Sequence, residues 1–201
     1  MKTKILTIAA IMIIAMVSTK TTYASINNDK EVSTTLTNVS RINKIEIHGN
    51  VELYVSDGTA DQVKVYNKYY EQSALVQSQN GVLRISSYAD QKLVVWVTAN
   101  DLQEIVANDN SQVKSFGTLA KLDIKVTLNN TASADLNLDA YKASINVNDR
   151  AKANISGNVN DYSLKQDQSA TVNHSTLATV NGSKTITNIP VKANNAELAI
   201  L

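Results

Sequence analysis

Cysteine is absent from this 201-residue chain, which excludes disulfides, thiol nucleophiles and a lipid-bearing cysteine at a processing site. Glycine occurs six times, each time alone. Neither a phosphate-cradling loop nor a nucleophile elbow with an oxyanion-hole cluster can be assembled from residues so scattered. His48 and His174 are the two histidines, and neither has a Cys, His or carboxylate at ligand spacing. The glycine-rich repeat that binds Ca²⁺ in stacked coils is missing too. No metal and no cofactor is therefore expected. Basic runs are also lacking, which argues against nucleic acid and anionic membrane surfaces as partners. Proline appears once, at Pro190, and is expected at a strand start or edge because it has no N–H for a ladder.

What is present starts with a leader. Lys2 and Lys4 precede an apolar run from Ile5 to Val17, and Thr22-Tyr23-Ala24 places small residues at −3 and −1. That is the layout of a cleavable secretory signal, and the run is shorter than the ~20 residues a spanning helix needs. The expected organisation is a signal peptide over 1–24, a flexible polar lead-in over 25–41 and a single all-β domain over 42–201. Cleavage removes Lys2, Lys4 and Lys20, leaving sixteen basic residues against eighteen acidic ones, a formal charge of −2. No transmembrane segment remains after cleavage, and the protein is expected in the periplasm or at the cell surface.

The middle of the chain repeats. Ala107-Asn-Asp-Asn-Ser-Gln-Val113 returns as Leu128-Asn-Asn-Thr-Ala-Ser-Ala134, Val147-Asn-Asp-Arg-Ala-Lys-Ala153 and Gln166-Asp-Gln-Ser-Ala-Thr-Val172. A period of about 20 residues signals stacked laps. Apolar and polar residues alternate on either side of each Asn/Asp corner, the period-2 signature of half-buried strands. Leu122, Ile124, Val126 and Leu128 are assigned inward, followed by Ala132, Ala134, Leu136 and Leu138. Stacking then aligns Ala132, Ala151 and Ala170 in one inner column, with Val113, Ala134, Ala153 and Val172 beside it. Asn108, Asn129, Asn148 and Asp167 form a corner column in which each amide can bond the copy above. The expected fold is all-β: a short right-handed β-helix-like stacked coil with an irregular N-terminal β region.

That N-terminal region alternates from Ile45 onward. His48-Gly49-Asn50 supplies a bend, Asn80-Gly81 a hairpin, and Leu93 to Val97 an apolar run expected to be buried on both faces. Asn181-Gly182 is read as another turn. The pattern Ile45-x-Ile47-x-Gly49-Asn50-Val51-x-Leu53-x-Val55-x-x-Gly58, then Asn80-Gly81-x-Leu83-x-Ile85, Leu93 to Val97 and Leu102-x-x-Ile105, resembles the head GIN domain family of auto-transporter adhesins from Gram-negative bacteria. The resemblance runs from Ile42 into the C-terminal region. It implies an all-β, β-helix-like fold in the cell envelope and supplies no catalytic residues.

Two constellations deserve a function test. Tyr66, Tyr69, Tyr70, Tyr88 and Trp96 gather ahead of the repeats, and exposed rings would present flat apolar faces to a sugar or a protein loop. Asp109 and Asp149 share a corner column two rungs apart, about 10 Å, a marginal separation for paired-carboxylate glycosidase chemistry. The leading expectation is an exported, non-catalytic binding or adhesion module whose ligand is a glycan or an envelope protein. The rivals are a polysaccharide lyase or hydrolase using the corner aspartates, and a structural or assembly part. The apolar end Leu198-Ala-Ile-Leu201 suggests association of copies through the C-terminal segment.

Overall fold

In the computed structural model, the described residues are 33–36, 39, 41–66 and 74–187. The expected signal segment, Tyr69, Tyr70, Pro190 and the apolar end Leu198–Leu201 lie outside them. Strand is the dominant state and no helix occurs among the described residues. Fourteen strands form one mixed sheet that curls into a half-barrel.

The parallel laps carry the repeat. Strands β8 (Glu104–Ala107), β9 (Gln112–Ser115), β10 (Leu119–Leu128), β11 (Ser133–Val147) and β12 (Lys152–Asp167) are joined by short corners, and β13 (Thr171–Asn173) and β14 (Leu177–Thr187) complete the series. Ala134 lies beside Ala153, Ile145 beside Leu164, and Ala153 beside Val172. Like therefore falls on like, and Ala132, Ala151 and Ala170 are all buried. Each buried Leu or Ile of these laps contributes roughly 1.5–3 kcal/mol.

Four corners repeat a single conformation. Gly49, Asp109, Asn130 and Asp149 all have positive φ, at 79°, 62°, 60° and 55°. Gly49 and Asn130 donate their N–H to the side chains of Asp109 and Asp149, and Asp149 donates its own to Asp167, at 3.1, 2.9 and 2.8 Å. Beside them runs the expected amide ladder, Asn148 Nδ2 to Asn129 Oδ1 and Asn129 Nδ2 to Asn108 Oδ1, both 2.7 Å. Left-handed backbone is costly for most residues but tolerated by Asn and Asp, so the corner column selects those two types.

One N-terminal lap uses the same corner, at Gly49, and the N-terminal laps stack in a different order. Strands β2 (Lys44–Gly49) and β3 (Val51–Ser56) are followed by β4 (Gln62–Tyr66), β5 (Ala74–Gln79), β6 (Val82–Ser87) and β7 (Leu93–Thr98). β2 lies between β6 and β8, and β3 between β7 and β9, all in parallel. The second lap in sequence is thus the first in the stack. β5 caps β6 and β4 caps β7, both antiparallel. β1 (Ser33–Leu36) pairs with β4, so part of the expected flexible lead-in is strand, held where the edge of β4 offers unpaired backbone groups.

The structure corrects four expectations. A closed β-helix is not what the strands form: they belong to one curled mixed sheet, because each lap has one tight corner and the rest is long strand, 15 residues in β11 and 16 in β12. Leu122 is 80% exposed rather than inward. The register passes from Lys121 beside Ala140 to Asp123 beside Lys142, so Leu122 and Tyr141 stand out of a bend that reverses the alternation. The same bend skips Asn160 and Val180 in the next two strands. Asn181-Gly182 is not a turn; it lies inside β14, where the Asn181 amide donates to Asp161 at 2.7 Å. Val94 and Trp96 are half-buried rather than enclosed, since one face of β7 is the outer face of the sheet.

Candidate functional site: an aromatic groove on the outer face

Outward-pointing residues at one register form a row across seven strands. Lys64 lies beside Trp96, Trp96 beside Tyr54, Tyr54 beside Lys114, Lys114 beside Asp135, then Asn154 and Asn173. Adjacent strands are about 4.8 Å apart, so the row is a line of side chains at fixed spacing. Two rings, Trp96 and Tyr54, lie between two lysines, and the rest of the row is polar.

The rings hold one another. Tyr54 and Trp96 stack with centroids 4.7 Å apart and planes 21° apart. Tyr66 meets Trp96 at 6.2 Å and Phe116 meets it at 5.0 Å, both tilted. Lys114 Nζ lies 5.5 Å from the Tyr54 centroid, a cation–π arrangement, and 2.6 Å from Glu52 Oε1. Tyr54 also donates its hydroxyl to Glu52 at 3.0 Å. The hydrogen bond from Lys114 holds the Glu52 carboxyl below its ordinary value, against the opposing effect of burial. The lysine is thereby fixed over the ring rather than left to swing.

Between Tyr54 and the neighbouring corner lies a groove of ≈ 340 Å³, lined by Tyr54, Lys114, Phe116, Asp135 and Asn137. Phe116 is 61% exposed; the turn at Gly117, with φ of 81°, leaves its ring standing clear of the sheet. Asn137 is tied down from both sides, its N–H donating to Ser115 at 2.8 Å and its amide to Thr118 at 3.0 Å. Further along the row, Asn154 donates to Asp135 and Asn173 to Asn154, at 3.1 and 3.0 Å. The groove thus offers an apolar ring, a cation and several hydrogen-bonding side chains whose positions are set by backbone spacing.

Of the residues predicted from sequence, Tyr66 and Trp96 are brought together in the ring cluster, and neither lines the groove. Tyr69 and Tyr70 lie outside the described residues. Tyr88 belongs elsewhere: its hydroxyl donates to Asp109 at 3.1 Å, and that bond holds the phenol above its ordinary pKa. Asp109 and Asp149 are corner residues whose carboxylates accept backbone N–H groups, and neither lines the groove. The sequence-based expectation left out Tyr54, Phe116, Lys114, Asp135 and Asn137. Only their shared outward phase hinted at them.

The comparisons agree with this architecture. The family model described as putative auto-transporter adhesin, head GIN domain, matches residues 41–188. No curated protein matches the chain. A solved putative adhesin from Parabacteroides distasonis superposes with a TM-score of 0.57 at 20% identity, covering 78% of each chain. Another from Bacteroides fragilis gives a TM-score of 0.50 at 15% identity, covering 81% of this chain and 98% of that one. These likenesses establish the fold, and the match over most of the chain establishes the lineage: the protein belongs to the head GIN domain family of putative auto-transporter adhesins.

Proposed function

We propose that the protein is an exported, non-catalytic adhesion module of the bacterial cell envelope, and that the outer-face groove holds its ligand, a glycan. One observation carries this reading: a ring more than half exposed, Phe116 at 61%, stands beside fixed polar groups on a sheet whose spacing is set by the backbone. Sugars present apolar C–H faces to rings and hydroxyls to amides and carboxylates, and Phe116, Asp135, Asn137 and Lys114 supply both. Trp96 is surrounded by Tyr54, Tyr66 and Phe116, so its role is to hold the exposed ring rather than to stack on the ligand. Family membership supports adhesion over catalysis, and the corner aspartates accept backbone N–H groups and do not line this groove.

The test is a glycan array probed with the wild type, Phe116→Ala and Tyr88→Ala. The reading predicts hits that Phe116→Ala abolishes and that Tyr88→Ala, on another part of the surface, leaves intact. Hits indifferent to Phe116, or none at all, would overturn it.

A further inference from the structure

The sheet has one long open edge. Among the described residues β14 pairs only with β12, and its 11 residues leave one side of the backbone without a strand partner. Natural edges are blunted by charge, proline, bulges or shortness. Here the strand reads LATVNGSKTIT, with Lys184 its single charge and no proline. The other flanking strands are short, 4 residues in β1 and 6 in β5, and cap the sheet antiparallel.

The core is open at the same end. β14 is exposed along nearly its whole length, with Val180 at 76% and Ile186 at 55%. A hollow of ≈ 370 Å³ lies there, lined by Tyr162, His174, Leu177, Thr179 and Lys184. The hydroxyl of Tyr162, which lines it, and Gln166 Oε1 on the same strand are buried without a hydrogen-bond partner. Stacked-lap proteins require their terminal laps to be covered or polar on the outer face.

We propose that a second copy of this chain covers this end, the two β14 strands pairing antiparallel about a two-fold axis. The choice of occupant follows from shape and charge. A strand added to β14 must share the bend at Val180, where the register steps from Thr179 beside Val159 to Asn181 beside Asp161. β1 and β5 pair with their neighbours without such a step, which argues against head-to-tail stacking onto the other end. A second β14 fits: pairing centred on Val180 sets residues 177–183 of the two strands side by side, brings the two bends together and extends the exposed Leu122–Tyr141–Val180 ridge onto the partner. An isologous contact of this kind closes as a dimer. With one charge in the strand, the edge offers little to a strongly acidic or basic partner. This association is independent of the glycan reading.

The experiment uses the variant Val180→Lys, at an exposed site, beside the wild type. Molar mass is followed across a concentration series, and amide exchange is read over 177–183. The wild type is expected to reach the mass of two chains, with slow exchange in β14 that accelerates on dilution. The variant is expected to keep the wild-type melting temperature, exchange fast at every concentration, and dissociate at least about tenfold more readily, the equivalent of ~1.4 kcal/mol. A single-chain mass throughout would overturn the proposal. So would a two-chain mass unaffected by the variant, or β14 protection independent of concentration, which would assign the cover to residues 188–201.

Discussion

The two halves of the sheet use one corner and one strand spacing, yet only the C-terminal half stacks in the order in which it is written. From β10 to β14 each lap lies on the lap just before it, Leu119 beside Leu138 and Leu138 beside Gly157. In the N-terminal half the lap β2–β3 waits for partners far along the chain: Gly49 bonds Asp109 across 60 positions. The lesson is that a corner motif specifies how laps meet, whereas the order of laps depends on what the intervening segment does. Here β4 and β5 cap the end of the stack, and β6–β7 returns beneath the first lap. Contacts in the C-terminal half are therefore local and should form early, while those of the N-terminal half carry a larger loop-closure cost.

The sharpest way to break the C-terminal stack is at its tightest approach. Gly157 has φ of 103°, and a Cβ there would stand 2.0 Å from the Leu138 carbonyl oxygen. Gly157→Ala should cost roughly 4 kcal/mol, combining backbone strain with overpacking. Gly117 also has positive φ but open space around it, so Gly117→Ala should cost only about 1 kcal/mol. Denaturant midpoints of the two variants check this, and equal losses would reject the close-packed stack.

Core truncation comes next. Leu136 is fully buried near the start of β11, whereas Leu75 on the capping strand β5 is 53% exposed. Leu136→Ala should cost about 2–5 kcal/mol and Leu75→Ala no more than about 0.5, measured by equilibrium unfolding. A smaller loss is expected at the ladder: Asn129 bonds the amides both above and below it, and Asn129→Ala should cost about 1 kcal/mol.

The mildest test separates the halves by pH. Glu46 and Glu52 are held below their ordinary value of 4.5 by Lys44 and Lys114. Their contribution is present above that pH and is lost as the pH falls beneath it, loosening the N-terminal half. Burial pushes Tyr162 up to about 12 from an ordinary value of 10.0. Its neutral form is favoured in the folded state, so stability is kept below pH 10.0 and lost as the pH rises toward 12, loosening the C-terminal end. Amide exchange at acid and alkaline pH should show opposite ends opening first, and Tyr162→Phe should remove the alkaline limb alone.

How much of this the sequence disclosed follows from the same contrast. The inner columns, the Asn/Asp corners and the amide ladder were legible because a period of about 20 residues repeats them in order. The hairpin at Asn80-Gly81 was legible because both residues need positive φ, and they have 52° and 80°. Leu122 misled because alternation was carried straight through a bend that no single residue marks. Asn181-Gly182 misled because a turn signal between apolar runs was overridden by pairing along β12. The groove stayed hidden for a third reason: Tyr54 meets Lys114 only through the pairing of β3 with β9, which no local period predicts. Tyr88 was grouped with the other rings by sequence proximity, although β6 delivers it to the corner column instead.

The register of the laps underlies all of this, and the absence of native cysteine makes it directly measurable. Thr127, Asn146 and Lys165 lie in one outward row on successive strands. In Thr127→Cys/Asn146→Cys the sulfur-bearing residues are about 4.8 Å apart, within disulfide range. In Thr127→Cys/Lys165→Cys they are about 9.6 Å apart, two strand spacings, and out of range. Stacked laps predict rapid oxidative cross-linking of the first pair and none of the second; equal cross-linking of both, or of neither, would contradict the stack.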